Sequence, residues 1–504
     1  MRLMKLHPAM AAVALTATLS GALVLRASQT TAFAITGVTV IDVTAASAAG
    51  ALKPDQTVIV TGARIAEVGA TRSTRVPVSA RVIDGHNKFL IPGLWDMHAH
   101  LLSTEERLEY FPLLFIANGV TGIRDMGAAL PPSRLGEIRA SIEHGEMTGP
   151  RIGAVSETIL EGPRGRAAEV FTIVSNPAEA RAAVDRHKSD GADFINVYNG
   201  LSREAYLAVV DEAKRVGLPL AGHIPASMSA SEISDLGQRT IEHSGSTGSS
   251  PAELLMSCSR DEAALRKQWK ELGNYSGPRQ GLRAFVERIY RATETGGAAT
   301  YDDRKAADLF ARFVRNGTWQ VPTLVVDSPV IMEQAALTAS PMLRYVRAST
   351  REQWQRDQQQ RMDATGGVAA WKPRVERRLR LIGDMHRAGV ALLAGTDANN
   401  PYVIPGFSLH DELALLVSAG LSPFDALRSA TLNPARFLNA ADRFGSIERG
   451  KIADLVLLDA NPLRDITATQ RIDGVVTNGR FLSRAALDGL LVDVERVASR
   501  PSQR

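Results

Sequence analysis

The chain has 504 residues, 45% hydrophobic and 22% charged, with a single cysteine. These proportions exclude a disordered, collagenous or coiled-coil chain, and a lone cysteine excludes an internal disulfide. The net charge of +4 includes Arg2, Lys5 and Arg26 in an acid-free stretch of 34 residues, and the excess of about +1 left without them gives no basic patch that argues for a nucleic-acid partner.

Residues 1–34 combine a short basic start, a run of small and apolar residues, and Ala32-Phe33-Ala34, an A-x-A cleavage pattern. They predict a secretory signal, hence an exported protein, periplasmic or secreted, with no stable membrane insertion once the signal is cut. An uncleaved anchor helix is the competing reading, because the apolar run is long and Arg26 interrupts the approach to the cut. In residues 35–90, AITGVTVIDV and TVIVTGARIAEVG read as strands joined by turn residues. The strand–turn–strand pattern returns within 441–504, in GSIERGKIADLVLLDANP and GVVTNGRFL. The two ends are therefore expected to build one small composite β-sandwich domain.

Residues 91–440 alternate short apolar strands with helices, which predicts a parallel sheet. Eight strands are expected, in the order LIPGLWDMHAH, GVTGIRDMG, RIGAVSETI, DFINVYN, PLAGHI, TIEHSG, WQVPTLVV and ALLAGTDA. Helical stretches such as NPAEARAAVDRHKSDG and SREAYLAVVDEAKRVG end at glycine, a C-terminal stop. Eight strand–helix units are the count of a (β/α)8 TIM barrel. Two connections, 246–318 and 327–381, are far longer than the rest and follow strand ends, on the face where barrels hold active sites. Charged helical sequence such as REQWQRDQQQRM makes these inserts a lid, a homo-oligomer contact, or simply solvated helices. Cys258, in the first insert, reads as a packed or loop thiol.

His98 and His100 stand two apart at the end of the first barrel strand, so both imidazoles point to one face. An H-x-H pair alone is weak. It gains weight because His223, His243 and Asp397 close three further strands. Four imidazoles and a carboxylate at the C-terminal ends of barrel strands converge on one mouth, with the ligand types of a zinc-like metal. His7, His86, His144, His187 and His386 fall outside those strand ends and are expected to be structural or solvated.

PGLWDMHAHL, GVTGIRDMG, AGHI, IEHSG and GTDA, in this order, resemble the amidohydrolase superfamily, and the tail LHDELALLVSAGLSPFDALRSATLNPARFL…GSIERGKIADLVLLDANP resembles its imidazolonepropionase-like branch, which includes prolidase-like dipeptidases. The resemblance implies a metal-dependent hydrolase. His98 and His100 would bind one metal with Asp397 beside it. His223 and His243 would bind a second in two-metal members. In one-metal members His223 completes the first site and His243 polarises the substrate. The metal would activate water, and Asp397 would take its proton and pass it to the leaving nitrogen. Tyr198 matches a tyrosine that hydrogen-bonds the developing oxyanion, with a packed aromatic as the alternative. His410 matches a histidine that often faces substrate, with a surface residue early in a helix as the alternative. Arg124 and Asp125 match an R-D pair, expected as a structural ion pair.

The sequence departs from that pattern twice. Dipeptidase-like relatives carry G-A-D-x-I-K-V-Y, whose carboxylated lysine bridges two metals; here GADFINVY puts Asn196 at that position. Asparagine has no amine to carboxylate. The readings are a one-metal enzyme with Asn196 hydrogen-bonding a ligand or water, a two-metal dipeptidase-like site bridged otherwise, or a non-catalytic exported protein that binds a small molecule. The second departure is ILEGPRGR, where relatives often have a T-G-G-H-G-like loop. Arg164 and Arg166 would meet a substrate carboxylate there, or stand in water as loop charges. The expectation is a zinc enzyme, with one metal favoured over two, hydrolysing an amide, peptide or cyclic amide C–N bond of a small molecule. A deaminase is its near variant.

Overall fold

The computed structural model of the protein describes residues 32–163, 170–245, 252–269, 279–365 and 367–500. Most of the expected signal, and both Arg164 and Arg166, lie outside these residues. The chain is mixed α/β. It opens with five strands: β1 (Ala32–Ile41), β2 (Leu52–Thr61), β3 (Arg64–Ala70), β4 (Arg81–Asp84) and β5 (Phe89–Pro92). β1 pairs antiparallel with β2, as in Phe33 with Val60, and parallel with β4 and β5. Ala32-Phe33-Ala34, the expected cleavage pattern, thus forms the start of β1, and Phe33 is buried.

Parallel strands follow: β6 (Leu94–Ala99), β7 (Val120–Asp125), β8 (Arg151–Val155), β9 (Ile159–Glu161), β10 (Phe171–Ile173), β11 (Ile195–Val197), β12 (Leu220–Gly222), β13 (Thr240–Glu242) and β14 (Trp319–Val321). LIPGLWDMHAH, expected as one strand, is two, with Gly93 between β5 and β6. A Cβ at Gly93 would collide with the side chain of Thr121, so the chain passes from one sheet to the other where no side chain fits. RIGAVSETI likewise divides into β8 and β9. β6, β7 and β8 pair in order, as do β9, β11 and β12, and then β13 and β14. The amide of Asp193 donates to the Val155 carbonyl, and a Leu220–Gln238 bridge joins β12 to the segment entering β13.

ALLAGTDA forms no regular strand. It is held by isolated bridges, Gln320 to Leu392 on one side and Ala99 to Ala398 on the other. Its amides are drawn elsewhere: Ala394 N donates to Ser429 O, and Thr396 N to the Asp96 carboxylate at 3.0 Å. The two helices expected between strands are present, Pro177–Ser189 capped by Asn176 and Arg203–Val216 capped by Ser202. The second ends at Gly217 with φ 73°, a left-handed turn that glycine adopts without strain.

The chain then returns to the first sheet. β15 (Leu455–Leu458) pairs antiparallel with β5, β16 (Ile472–Thr477) with β15, and β17 (Arg480–Ser483) with β16. Strands from both ends therefore share one eight-stranded sheet, where two stacked sheets were expected. The twofold period of β15 divides its side chains: Leu455 and Leu457 join a small core with Phe33, Ile35 and Val58, while Val456 and Leu458 enter the main core. A helix unforeseen in the sequence, Arg484–Ala498, also buries Leu487 and Val494 there.

The long inserts are helical and packed down. The first buries Leu254, Leu255 and Cys258. REQWQRDQQQRM lies in the helix Ala348–Thr365, which buries Trp354 and Gln358 and exposes most of its charges. The buried pair Arg374–Glu294, at 2.8 Å, ties the two inserts together.

Candidate active site

Three strand ends and one irregular segment bring the expected residues together. The carboxylate of Asp397 lies 3.2 Å from His100 Nε2, 3.5 Å from His98 Nε2 and 3.7 Å from His243 Nε2. One donor atom from each of His98, His243 and Asp397 falls within 4.8 Å of the others. His223 joins through its ring, whose centroid is 4.9 Å from that of His243 and 4.1 Å from that of Tyr198.

What the outer nitrogens touch decides what the inner ones can do. His98 Nδ1 is 2.7 Å from Glu242 Oε2. Glu242 also accepts from Arg124 Nη2 at 2.9 and 3.0 Å and from the Thr240 hydroxyl, and all four side chains are buried. An ionised carboxylate only accepts, so His98 Nδ1 donates and its Nε2 lone pair faces Asp397. His243 Nδ1 meets the Thr323 hydroxyl at 2.7 Å and His223 Nδ1 meets Asn199 Oδ1 at 2.7 Å, which leaves Nε2 of each ring as the inward atom. Burial disfavours the charged form of Asp397, but His243, His98 and His100 outweigh it and hold its carboxyl well below the usual carboxylate range. Burial likewise opposes charge on His98, but Asp397 and Glu242 raise its pKa. Burial dominates at His243 and pushes its pKa down.

The backbone is strained at the same place. His243, Ser244, Thr323 and Asp397 adopt φ of 56°, 62°, 49° and 58°, a region that costs a non-glycine residue about 1–3 kcal/mol. A fully buried arginine braces them. Arg378 reaches back from the second insert to Asp327 at 2.5 Å, to the Pro322 carbonyl and to Ser244 Oγ at 3.3 Å. That insert is therefore a wall of the site.

Residues 330–482 match the amidohydrolase family. A segment of 106 residues is 35% identical to an imidazolonepropionase from Geobacillus sp. (strain WCH70), covering 19% of this chain and 24% of that enzyme. The chain thus aligns with about a quarter of that curated relative. Over most of its length it shares the fold of a candidate prolidase from Bifidobacterium longum, with TM-score 0.65, 24% identity, and 92% of this chain and 99% of that one covered. It is similar in the same way to bottromycin amidohydrolase, with TM-score 0.66, 24% identity, and 93% and 91% covered. The family match is thus carried by residues 330–482, and the chain as a whole shares the fold of these two proteins.

Amidohydrolases are generally metal-dependent, and the donor set here fits a metal. Imidazole Nε2 atoms with their Nδ1 atoms engaged, converging on an ionised carboxylate, are the ligand types a zinc-like ion takes. Asn196 stands inside the fold at the level of Met126. Its Nδ2 donates to the Met126 carbonyl at 2.5 Å, while its Oδ1 is buried without a hydrogen-bond partner among the described residues. A Cβ on Gly222 would overlap that oxygen, so the amide occupies space that only glycine leaves open.

Two expectations are corrected. His410 is buried in the helix Phe407–Ser418, its Nδ1 3.0 Å from the Thr469 hydroxyl and its Nε2 3.1 Å from the Asn118 carbonyl. Both nitrogens are engaged away from the cluster, and burial lowers its pKa to about 4; it is a core histidine. Arg124 and Asp125 are not paired with each other. Neighbours on a strand point to opposite faces, so Arg124 meets Glu242, and Asp125 accepts from the amides of Leu102 and Gly127 at 2.9 and 3.2 Å. Sequence reasoning missed Glu242, Thr323, Arg378 and Asp96. The signal for Glu242 was present: an acid inside a short buried strand that His243 closes requires a buried partner. Asp96 accepts from His98 N, Thr396 N and Thr396 Oγ1, and so locks the first and last strand ends together.

Proposed function

We propose that this chain is a one-metal hydrolase of amide-type C–N bonds, exported, with Asp397 as its proton shuttle. The observation that carries this reading is the convergence of His98, His243 and Asp397 within 4.8 Å, with His100 on the same carboxylate. His98, His100 and Asp397 would hold the ion, with His223 or His243 completing the set. When bound, the metal supplies Lewis acidity and a water that ionises near neutral pH. Asp397, its carboxyl held well below the usual carboxylate range, accepts the proton of the attacking water and delivers it to the departing nitrogen. Tyr198, beside His223, offers its phenol to the developing oxyanion. His243, held neutral by burial and oriented by Thr323, polarises the carbonyl.

Asn196 favours one metal over two. Its amide is neutral and already spends one end on Met126, so it offers no anionic bridge. The parallel strands and the ALLAGTDA segment are inferred to close into a (β/α)8 barrel, since the Ala99–Ala398 bridge links the last to the first, and the shared sheet to act as one composite domain. The substrate class is a small amide, peptide or cyclic amide, in keeping with the imidazolonepropionase and the candidate prolidase that the chain resembles.

The test is elemental analysis of the protein re-loaded with zinc. One metal per chain is expected. Two would return the dipeptidase-like reading, and none would leave a small-molecule binding protein.

A further inference from the structure

A second cavity lies at the other end of the strands. It has a volume of about 230 Å³ and is lined by Phe194, Leu220 and Arg239, at or just before the starts of β11, β12 and β13, by Phe437 and Leu438 at the end of the helix Leu432–Phe437, and by Arg124. The catalytic cluster sits where the strands leave, so the two sites are separate. Binding pockets for drug-sized ligands span about 300–1,000 Å³, which limits this one to a smaller molecule.

Its charges are unequal. Arg124 is neutralised by Glu242, and Asp193 at the rim by Arg139 at 2.8 Å. Arg239 has no carboxylate within ion-pair distance among the described residues. Its guanidinium stands 5.2 Å from the centre of the Phe437 ring, which also lies 5.4 Å from the Arg124 guanidinium and 5.8 Å from the Trp319 ring. A cation–π contact leaves guanidinium N–H groups able to donate to an acceptor. The cavity therefore offers one uncompensated planar cation against apolar and aromatic walls.

We infer that this cavity binds a small monocarboxylate with an apolar, aryl-sized body, its carboxylate on Arg239 and its body against Phe194 and Leu438. A single positive charge suits a monoanion, and a guanidinium edge matches the two oxygens of a carboxylate. The ligand would also touch Arg124, which holds Glu242, which holds His98 Nδ1, so its occupancy can be read at the catalytic end.

The probe is 3-phenylpropionate, titrated calorimetrically into the zinc-loaded full-length protein, with 3-phenylpropanol as its uncharged counterpart. Saturable binding at one site is expected, unchanged in Asp397→Asn, and about tenfold weaker both for the alcohol and in Arg239→Gln. No saturable binding, equal binding of the alcohol, or loss of binding in Asp397→Asn would overturn the inference. If Arg239→Gln fails to fold by circular dichroism, Leu438→Trp fills the cavity instead; full binding by folded Leu438→Trp also overturns it. The acid-against-alcohol comparison on the unmutated protein decides even if neither variant folds.

Discussion

Replacing Glu242 with glutamine tests how the site is built. Glu242 is fully buried and carries three duties at once: it neutralises Arg124, accepts from His98 Nδ1 and takes the Thr240 hydroxyl. Glutamine keeps the shape and removes the charge. Arg124, itself buried, is then an unpaired cation, and breaking such a pair costs about 3–5 kcal/mol. At this chain length that is a fall of about 3–5 °C in Tm if the chain unfolds as one unit. His98 also loses a charged acceptor for its Nδ1–H, so its Nε2 becomes a weaker donor, and zinc affinity should fall about 10–100-fold. Unfolding of the metal-free protein and zinc competition against a chelating dye read the two effects separately. The double variant Arg124→Met with Glu242→Gln should recover much of the stability and none of the zinc affinity. Unchanged zinc affinity in Glu242→Gln would refute the claim that Glu242 orients a metal ligand.

Four further outcomes are expected. Asp397→Asn should retain zinc by elemental analysis and lose about 10²–10⁴-fold in kcat on any substrate found, as removal of a general base does; full turnover would end its role as shuttle. Asn196→Lys, beside Gly222, should raise metal content above one per chain in bicarbonate buffer, and an unchanged ratio would mean that the lysine alone cannot rebuild a bridge. His410 and His187 are each held near pKa 4 by burial against an ordinary 6.5, so the unfolded chain binds more protons between those values and stability falls as pH drops from about 6.5 to 4, by about 3 kcal/mol per histidine; urea midpoints at pH 7 and 4.5 measure this, and His410→Gln should flatten the slope. Cleavage after Ala34 would strip Ala32–Ala34 from β1 and remove Phe33 from its core contact with Phe481, so the mature chain should begin at or before Ala32; an intact mass that starts at Ile35 with undiminished stability would refute this.

The sequence carried the positions of the clustered histidines because strand ends are local. A histidine closing an apolar run reads the same before and after folding, and His98, His100, His223 and His243 sit at or just past the ends of β6, β12 and β13. The eighth strand was harder. Its amides are taken by Ser429 and by the Asp96 side chain, contacts from 35 to 300 residues away, so alternation of apolar residues could not reveal an irregular ladder. His410 failed for the same reason. Its motif matched, but its place was set by Thr469 and Asn118, from a helix turn near the C-terminus and a cap near the N-terminus. Arg378 is the extreme case: one of many arginines in a charged helix, marked only by Asp327 and Ser244 once the insert has packed.

Strain and support converge on the segments that follow His243, Val321 and Thr396. Residues at positive φ there would relax if the loops were free, and each is instead pinned from outside the loop: His243 by Thr323, Ser244 by Arg378, and Asp397 through its amide on the His98 carbonyl. Stored backbone strain of this kind persists only where the surroundings over-determine the conformation. Asn196 lacks such support at one end: its Oδ1 has no hydrogen-bond partner among the described residues, and an unsatisfied buried carbonyl costs about 1–3 kcal/mol. That open oxygen is an acceptor ready for a water or a ligand donor. Such an acceptor fits the one-metal reading proposed above, since a carbamate bridge would have required a lysine.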